Sequence, residues 1–212
     1  SMFEEHPDKE GNIVELGDKS RADWVATINE ATALIEAALP NWFMEMPFTS
    51  KRMVPVGYEA QRHLSASYRE APGLCYLTLH PDLLTMTEAI IHETQHTKAN
   101  MISWIDAVIT NGHTCWTESP VRPDLRPLWG VLLAIHAFIP VSSLHHRLAE
   151  IDHPLSKTAQ FAQRRAEVIA GNRRGLNIVL ENAKPTKVGA KLIEDMKTIQ
   201  AFLEDSAPPP PK

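Results

Sequence analysis

One short pattern in the sequence has residue types and a spacing that suit metal chemistry: His92-Glu93-x-x-His96. On an α-helix, residues four apart lie on one face, one turn from each other. The imidazoles of His92 and His96 can therefore bind one metal ion, and Glu93 can accept a proton from a water molecule on that ion. The alternative interpretation is a surface helix that carries two histidines and a glutamate without function.

The residues around this motif predict a long helix that is largely buried. No proline or glycine interrupts the chain from Asp82 to Ile109, and Asp82 directly follows Pro81, which suits the start of a helix. Apolar residues recur at roughly helical spacing on both sides of the motif. A buried face that also carries polar groups is costly unless a partner satisfies them, and a metal ion would do so. The polar residues, each four apart, are Glu88, His92, His96 and Asn100.

A long loop, residues 110–127, follows this helix and contains both Arg122 and Arg126. Loops of this length inside a domain are often functional. Arginine binds a carboxylate through two parallel hydrogen bonds, so the loop can hold an acidic ligand. Alternatively, these arginines pair with Asp124 or Glu118 and have a structural role.

The segment from Leu128 to Ile151 predicts a second long buried helix. Pro127 suits its first turn, and Pro140 should kink or break it. His136 lies in its most apolar part. A lone histidine in such a setting is most often a core residue. However, a catalytic metal site needs a third protein ligand, and a buried helix packed on the metal helix is a natural place for one.

Two classes of zinc protease can be compared with the motif. The class with His-Glu-x-x-His-x-x-Gly-x-x-His needs glycine at 99 and histidine at 102, where this chain has Ala99 and Ile102, so that class is excluded. A thermolysin-like site needs a downstream glutamate on a helix. Glu150 and Glu167 are candidates by type, but neither has apolar neighbours like those of His136. A zinc metallopeptidase with Glu93 as the general base remains an alternative.

The remainder of the chain predicts an α+β fold that is predominantly α-helical. The long metal-binding helix would pack on neighbouring helices and on a small antiparallel sheet built from residues 51–79, with a hairpin around residues 69–73. An edge strand of such a sheet can hold an extended peptide by main-chain pairing. A first helix should begin at Ser20, with Asp23 completing a capping box, and should end at Pro40.

Two further helices are predicted over residues 156–182 and 187–202. We expect three parts in the chain: a flexible segment over residues 1–19, a single metal-dependent catalytic domain over 20–205, and a disordered proline-rich tail over 206–212. Ser1-Met2 resembles the remnant of a removed tag, so the natural start is expected elsewhere. The first of these two helices carries a basic stripe that we expect to be solvated: Lys157, Arg164, Arg165, Arg173 and Arg174.

The amino-acid composition indicates the cellular compartment of the protein and the classes of partner that it can bind. The chain has 212 residues, of which 43% are hydrophobic and 22% charged, and a net charge of −5, as in soluble globular proteins. The absence of a basic run argues against nucleic-acid binding, and no apolar run appears long enough to span a membrane. The two cysteines, Cys75 and Cys115, are too few for a disulfide scaffold, so a reducing cytoplasm is expected.

Three blocks in this order give the chain a family resemblance that covers about residues 73–150. They are Glu88 to His96, the arginine-containing run Ser119 to Leu128, and Gly130 to Phe138, which includes His136. Together they resemble the HExxH-type 2-oxoglutarate-dependent peptide β-hydroxylases, which modify ribosomally made precursor peptides and are sometimes fused to or encoded beside radical SAM maturases. The chain is short for this family, so a part that recognises the substrate can be missing or supplied by a partner.

The resemblance implies an oxygenase that uses non-haem Fe(II), 2-oxoglutarate and O₂ and hydroxylates a side-chain β-carbon. By position, His92, His96 and His136 would be the iron ligands. Arg126, or else Arg122, would bind the carboxylate of 2-oxoglutarate, and Glu93 would orient a ligand or water. A second alternative is a non-catalytic domain that binds peptides for a maturase.

Overall fold

In a computed structural model, which describes residues 13–119 and 124–207, the first long helix begins where the capping box predicts. Helix α1 spans Arg21–Ala38. The Ser20 hydroxyl accepts a hydrogen bond from the amide of Asp23 (3.1 Å), and the Asp23 carboxylate accepts one from the amide of Ser20 (2.9 Å). After Leu39 the chain enters two single-turn helices, α2 (Pro40–Phe43) and α3 (Met46–Thr49).

A three-stranded sheet follows, with β3 (Leu74–Leu79) between β1 (Arg52–Tyr58) and β2 (Ser65–Ala66). β2 pairs with β3 in the antiparallel direction, as a hairpin would, but β1 pairs with β3 in parallel. The prediction of an antiparallel sheet is therefore wrong for its longer pairing. Residues 59–73 form a connection long enough for the crossover that parallel strands need.

The outer edge of β1 is partly occupied. Glu15 forms an isolated bridge with Val56: its amide donates to the Pro55 carbonyl (3.2 Å), and its carbonyl accepts from the Gly57 amide (3.0 Å). The described part of the predicted flexible segment, residues 13–19, thus lies beside β1. Residues 1–12, and residues 208–212 of the predicted tail, lie outside the described residues.

Helix α4 (Leu83–Ser103) is the predicted metal helix. It begins as expected at Asp82, whose carboxylate accepts a hydrogen bond from the Thr85 amide (2.7 Å). It is buried along most of its length, with Met86, Ile90 and Ile91 fully inaccessible. Contacts between residues group the chain into two compact units, Ser1–Met101 and Ile102–Lys212. The sequence predicts one domain over 20–205 instead.

The second unit contains a short antiparallel pair, β4 (Trp116–Glu118) and β5 (Leu125–Pro127), followed by three long helices. These are α5 (Leu128–Glu150), α6 (Ala159–Asn182) and α7 (Lys187–Asp205). A 3₁₀ turn, Pro154–Lys157, connects α5 to α6. The three helices share one apolar core, which includes Leu128, Val131, Leu132, Ile135, Ile139, Leu176, Val179, Ile193 and Met196.

Pro140 lies inside α5 without ending it, so of the two predicted effects, a kink or a break, the break does not occur. Proline removes one helical hydrogen bond, the one that the carbonyl of His136 would accept. The apolar contacts of the core helix on both sides of Pro140 maintain its helical backbone despite that loss.

The start of α7 is held against the segment that follows α4. The Thr186 hydroxyl caps the helix by accepting from the Gly189 amide (3.0 Å) and donates to Asp106 (2.6 Å). A Cβ atom on Gly189 would lie only 1.8 Å from the carbonyl oxygen of Val108. Glycine at this position therefore permits a close backbone approach that no other residue allows.

Helix α5 is long and apolar enough, by length and composition, to cross a membrane. This corrects the statement that no apolar run of the sequence reaches that length. Most of its apolar stretch is buried inside the structure, as is typical of a core helix in a soluble protein. The predicted α+β class with predominantly helical content is confirmed.

Candidate metal site

The two histidines of the motif face each other on α4. Their ring centroids are 4.3 Å apart with planes at 89°, and the two Nε2 atoms are separated by 2.7 Å. Both side chains are only partly buried, whereas the residues between them, including Glu93 and Thr94, are buried. The helical spacing thus brings both Nε2 atoms to one point on a partly buried face of the helix.

This separation can be compared with what a shared metal ion requires. Two nitrogen ligands about 2.1 Å from one ion are about 3.0 Å apart at a right angle and about 3.4 Å apart at a tetrahedral angle. The observed 2.7 Å is nearest the right-angle value, so a shift of about 0.3 Å would allow both nitrogens to bind. The same distance also suits a direct hydrogen bond between two neutral rings. The pair fits a metal ion without repacking the helix.

Glu93 occupies a different environment from the histidines. Its side chain is 2% exposed, and its Oε2 atom has no hydrogen-bond partner among the residues that the structure describes. A buried carboxylate oxygen without a donor is unusual in native proteins and calls for an explanation. A ligand or water molecule that donates a hydrogen bond to Oε2 would satisfy it.

Cys75 of β3 lies close enough to Glu93 to sense its charge. Burial raises the pKa of the Cys75 thiol from 9.0 to about 11, the negative charge of Glu93 adds to the rise, and hydrogen bonds with Ser50 and Thr97 oppose it. The Ser50 hydroxyl oxygen is 3.4 Å from the thiol sulfur. The position of Cys75 beside Glu93 was not predicted from the sequence, in which the cysteines were considered only as disulfide partners. The alternation of β3, which buries Cys75 and Leu77, was the available signal.

His136 lies where the sequence places it, in the buried middle of α5. Its side chain is 7% exposed, and its neighbours Ile135 and Ala137 are fully buried. His136 belongs to the second unit, whereas His92 and His96 belong to the first. Among its described residues, the first unit adds no third His, Cys, Asp or Glu to the pair. The assignment of His136 as the third ligand stays a prediction.

Of the two arginines proposed to bind 2-oxoglutarate, Arg126 lies among the described residues. Arg126 lies in β5, and its Nε is 3.3 Å from the carboxylate of Asp124, the pairing that the sequence offered as the structural alternative. Its side chain is 28% exposed. Arg122 lies outside the described residues. A bound carboxylate at Arg126 would therefore have to share or replace the contact with Asp124.

Comparison of the chain with models of known protein families gives no match, and comparison with curated proteins gives none either. The three-block resemblance to the peptide β-hydroxylases therefore remains a proposal.

Proposed function

We propose that this protein is a metal-dependent oxygenase that hydroxylates a side-chain β-carbon of a ribosomally made precursor peptide. The observation that carries the proposal is the pair of Nε2 atoms of His92 and His96, 2.7 Å apart on a buried helix. Imidazole suits iron and zinc alike, so the choice of Fe(II) rests on the family resemblance.

His92 and His96 would hold the ion, and His136 would complete the set as the resemblance implies. An Fe(II) ion held there would supply the redox chemistry of the overall reaction: 2-oxoglutarate would lose CO₂ and take one oxygen atom of O₂ to become succinate, and the β-carbon C–H bond of the peptide would take the other to become C–OH. Arg126, or else Arg122, would hold the distal carboxylate of 2-oxoglutarate. The Oε2 atom of Glu93, which is buried without a partner among the described residues, would accept a hydrogen bond that orients a ligand or water.

The first experiment measures metal binding. Protein purified without oxygen is loaded with Fe(II), and the bound iron per chain is determined for the wild type and for His92→Gln, His96→Gln and His136→Gln. We expect about one iron per wild-type chain and a large loss in each variant. His113→Gln, at an exposed histidine of the second unit, is the matched control and should bind as the wild type does. Full binding by His136→Gln would remove that residue from the ligand set.

The second experiment measures the reaction. Iron-loaded protein is supplied with 2-oxoglutarate, O₂ and a precursor peptide encoded beside its gene. We expect succinate and a peptide with one added oxygen atom, and a marked loss of both with Arg126→Ala but not with Arg147→Ala, an exposed arginine that pairs with Glu150. Iron-loaded protein that makes neither product would refute the oxygenase proposal.

A zinc metallopeptidase is the second candidate, and the environment of Glu93 favours it. A buried carboxylate with an unsatisfied oxygen beside a histidine pair suits a general base that accepts a proton from a metal-bound water. This proposal predicts that zinc-loaded protein cleaves peptides and that Glu93→Gln abolishes cleavage while zinc stays bound. Protein that binds neither metal would instead indicate a non-catalytic peptide-binding domain of a maturase.

We further propose that the protein acts in the cytoplasm, with a precursor peptide and a radical SAM maturase as partners. Cys75 and Cys115 are both free thiols, which fits a reducing compartment. Nucleic acid and membrane lipid are not proposed as partners.

A further inference from the structure

The second unit contains an open pocket of about 780 Å³, a volume typical of small-molecule sites. Its walls come from the end of α5, the 3₁₀ turn, one face of α6 and the end of α7. Phe161 and Ile169 give it apolar walls, and three alanines four residues apart on α6 leave the space open. These alanines are Ala162, Ala166 and Ala170.

Arg165 lines this pocket and is buried, with only 7% of its surface exposed. The expectation that the whole basic stripe of α6 is solvated is wrong for this residue, because the end of α7 lies against it. One Nη atom of Arg165 donates a hydrogen bond to the carbonyl of Ser206 (3.3 Å). Its Nε has no hydrogen-bond partner among the described residues. Burial lowers the pKa of this guanidinium, and no carboxylate within residues 13–119 and 124–207 opposes that effect.

The other charges of the pocket are already paired. Lys157 binds Asp152 (2.6 Å), and Arg173 binds Glu204 (2.8 Å). Three cations and two carboxylates line the pocket, so among the residues that the structure describes one positive charge, that of Arg165, is left without an acidic partner. A guanidinium stays protonated in proteins, and a buried charge is costly unless it is paired. The missing partner is therefore a single negative charge.

We propose that this pocket binds a single-chain amphiphile with a carboxylate head, such as a medium-chain fatty acid. The carboxylate accepts a hydrogen bond from a terminal nitrogen of Arg165 and neutralises its charge. The apolar chain lies along the alanines of α6, between Phe161 and Ile169. The residues predicted to bind metal or 2-oxoglutarate do not line this pocket, so the two sites can be tested separately.

The test is calorimetric titration of the full chain with dodecanoate below its micelle concentration. Dodecanol, which has the same chain without the charge, and acetate, which has the charge without the chain, are the matched ligands. We expect saturable binding of one dodecanoate per chain and binding at least about tenfold weaker for dodecanol and acetate, since each lacks one of the two contacts. Equal binding of dodecanol, or no binding of dodecanoate, would overturn the proposal.

Two variants locate the site. Arg165→Gln should weaken dodecanoate binding at least about tenfold. Arg147→Gln, at an arginine of α5 outside the pocket, should leave the affinity unchanged. Arg165 also supports the end of α7 through Ser206, so its loss can destabilise the fold. Ala166→Trp therefore serves as a second variant, because it fills the pocket from an exposed position and keeps Arg165. Dodecanoate that binds this folded variant as tightly as the wild type would place the ligand elsewhere and overturn the proposal.

Discussion

The buried thiol of Cys75 should make the stability of the protein fall at alkaline pH. Its pKa rises from 9.0 to about 11 in the folded protein, chiefly because of burial. Since the folded pKa lies above the unfolded one, the contribution is fully present below pH 9.0 and is lost as the pH rises towards 11. A difference of two pKa units corresponds to about 2.7 kcal/mol of unfolding free energy.

The assay is denaturant unfolding, followed by circular dichroism, at pH 8 and at pH 10.5. Other groups also titrate in this range, so the informative quantity is the difference between the wild type and Cys75→Ala in their loss of stability. By pH 10.5 that difference should be about 2 kcal/mol, because most of the titration has then occurred. Cys115→Ala, which removes the partly exposed cysteine, is the control and should lose as much as the wild type.

A Cys75→Ala variant that loses as much stability as the wild type would refute the reasoning. The same assay reports on Glu93, whose negative charge is one cause of the raised pKa of Cys75. Glu93→Gln should lower the pKa of Cys75 and reduce the loss of stability at alkaline pH. The reduction should be less than the full value of about 2.7 kcal/mol, because burial remains the largest cause of the raised pKa. An unchanged loss would contradict the contribution of Glu93 to the pKa of Cys75.

Three further changes test the fold by denaturant unfolding. Ser20→Ala removes the α1 cap and should cost about 1 kcal/mol; no loss would mean that the cap contributes nothing. Gly189→Ala should cost at least about 3 kcal/mol, because its Cβ would meet the Val108 carbonyl at 1.8 Å; a neutral result would contradict that close approach. Leu144→Ala, at a fully buried site, should cost about 2–5 kcal/mol, whereas Leu180→Ala, 48% exposed, should cost less than about 1 kcal/mol.

Features set by local hydrogen bonds could be predicted from the sequence. The starts of α1 at Ser20 and of α4 at Asp82 depend on side chains that bond to amides three residues away, and both were found where expected. In the same way, the spacing of four residues predicts that the rings of His92 and His96 face each other, as they do. Each of these is decided within one turn of helix.

Features decided by distant parts of the chain could not be predicted. The short apolar run of β1 and the alternation of β3 indicate strands but carry no information about their relative direction, which the connection of residues 59–73 decides. Arg165 looks like any member of the basic stripe of α6, and only the position of Ser206, 41 residues later, buries it. The third ligand of the predicted site is undecided for the same reason, because it depends on residues far from the motif.

The edges of the three-stranded sheet have a consequence for how a peptide substrate would be held. β2 offers two residues, and the outer edge of β1 contains Pro55, which lacks an amide hydrogen, and is partly covered by Glu15. Little free main chain is left for an added strand. Recognition of a peptide here would have to come from side-chain pockets instead of a backbone ladder, and the same short edges protect the protein against edge-to-edge aggregation at high concentration.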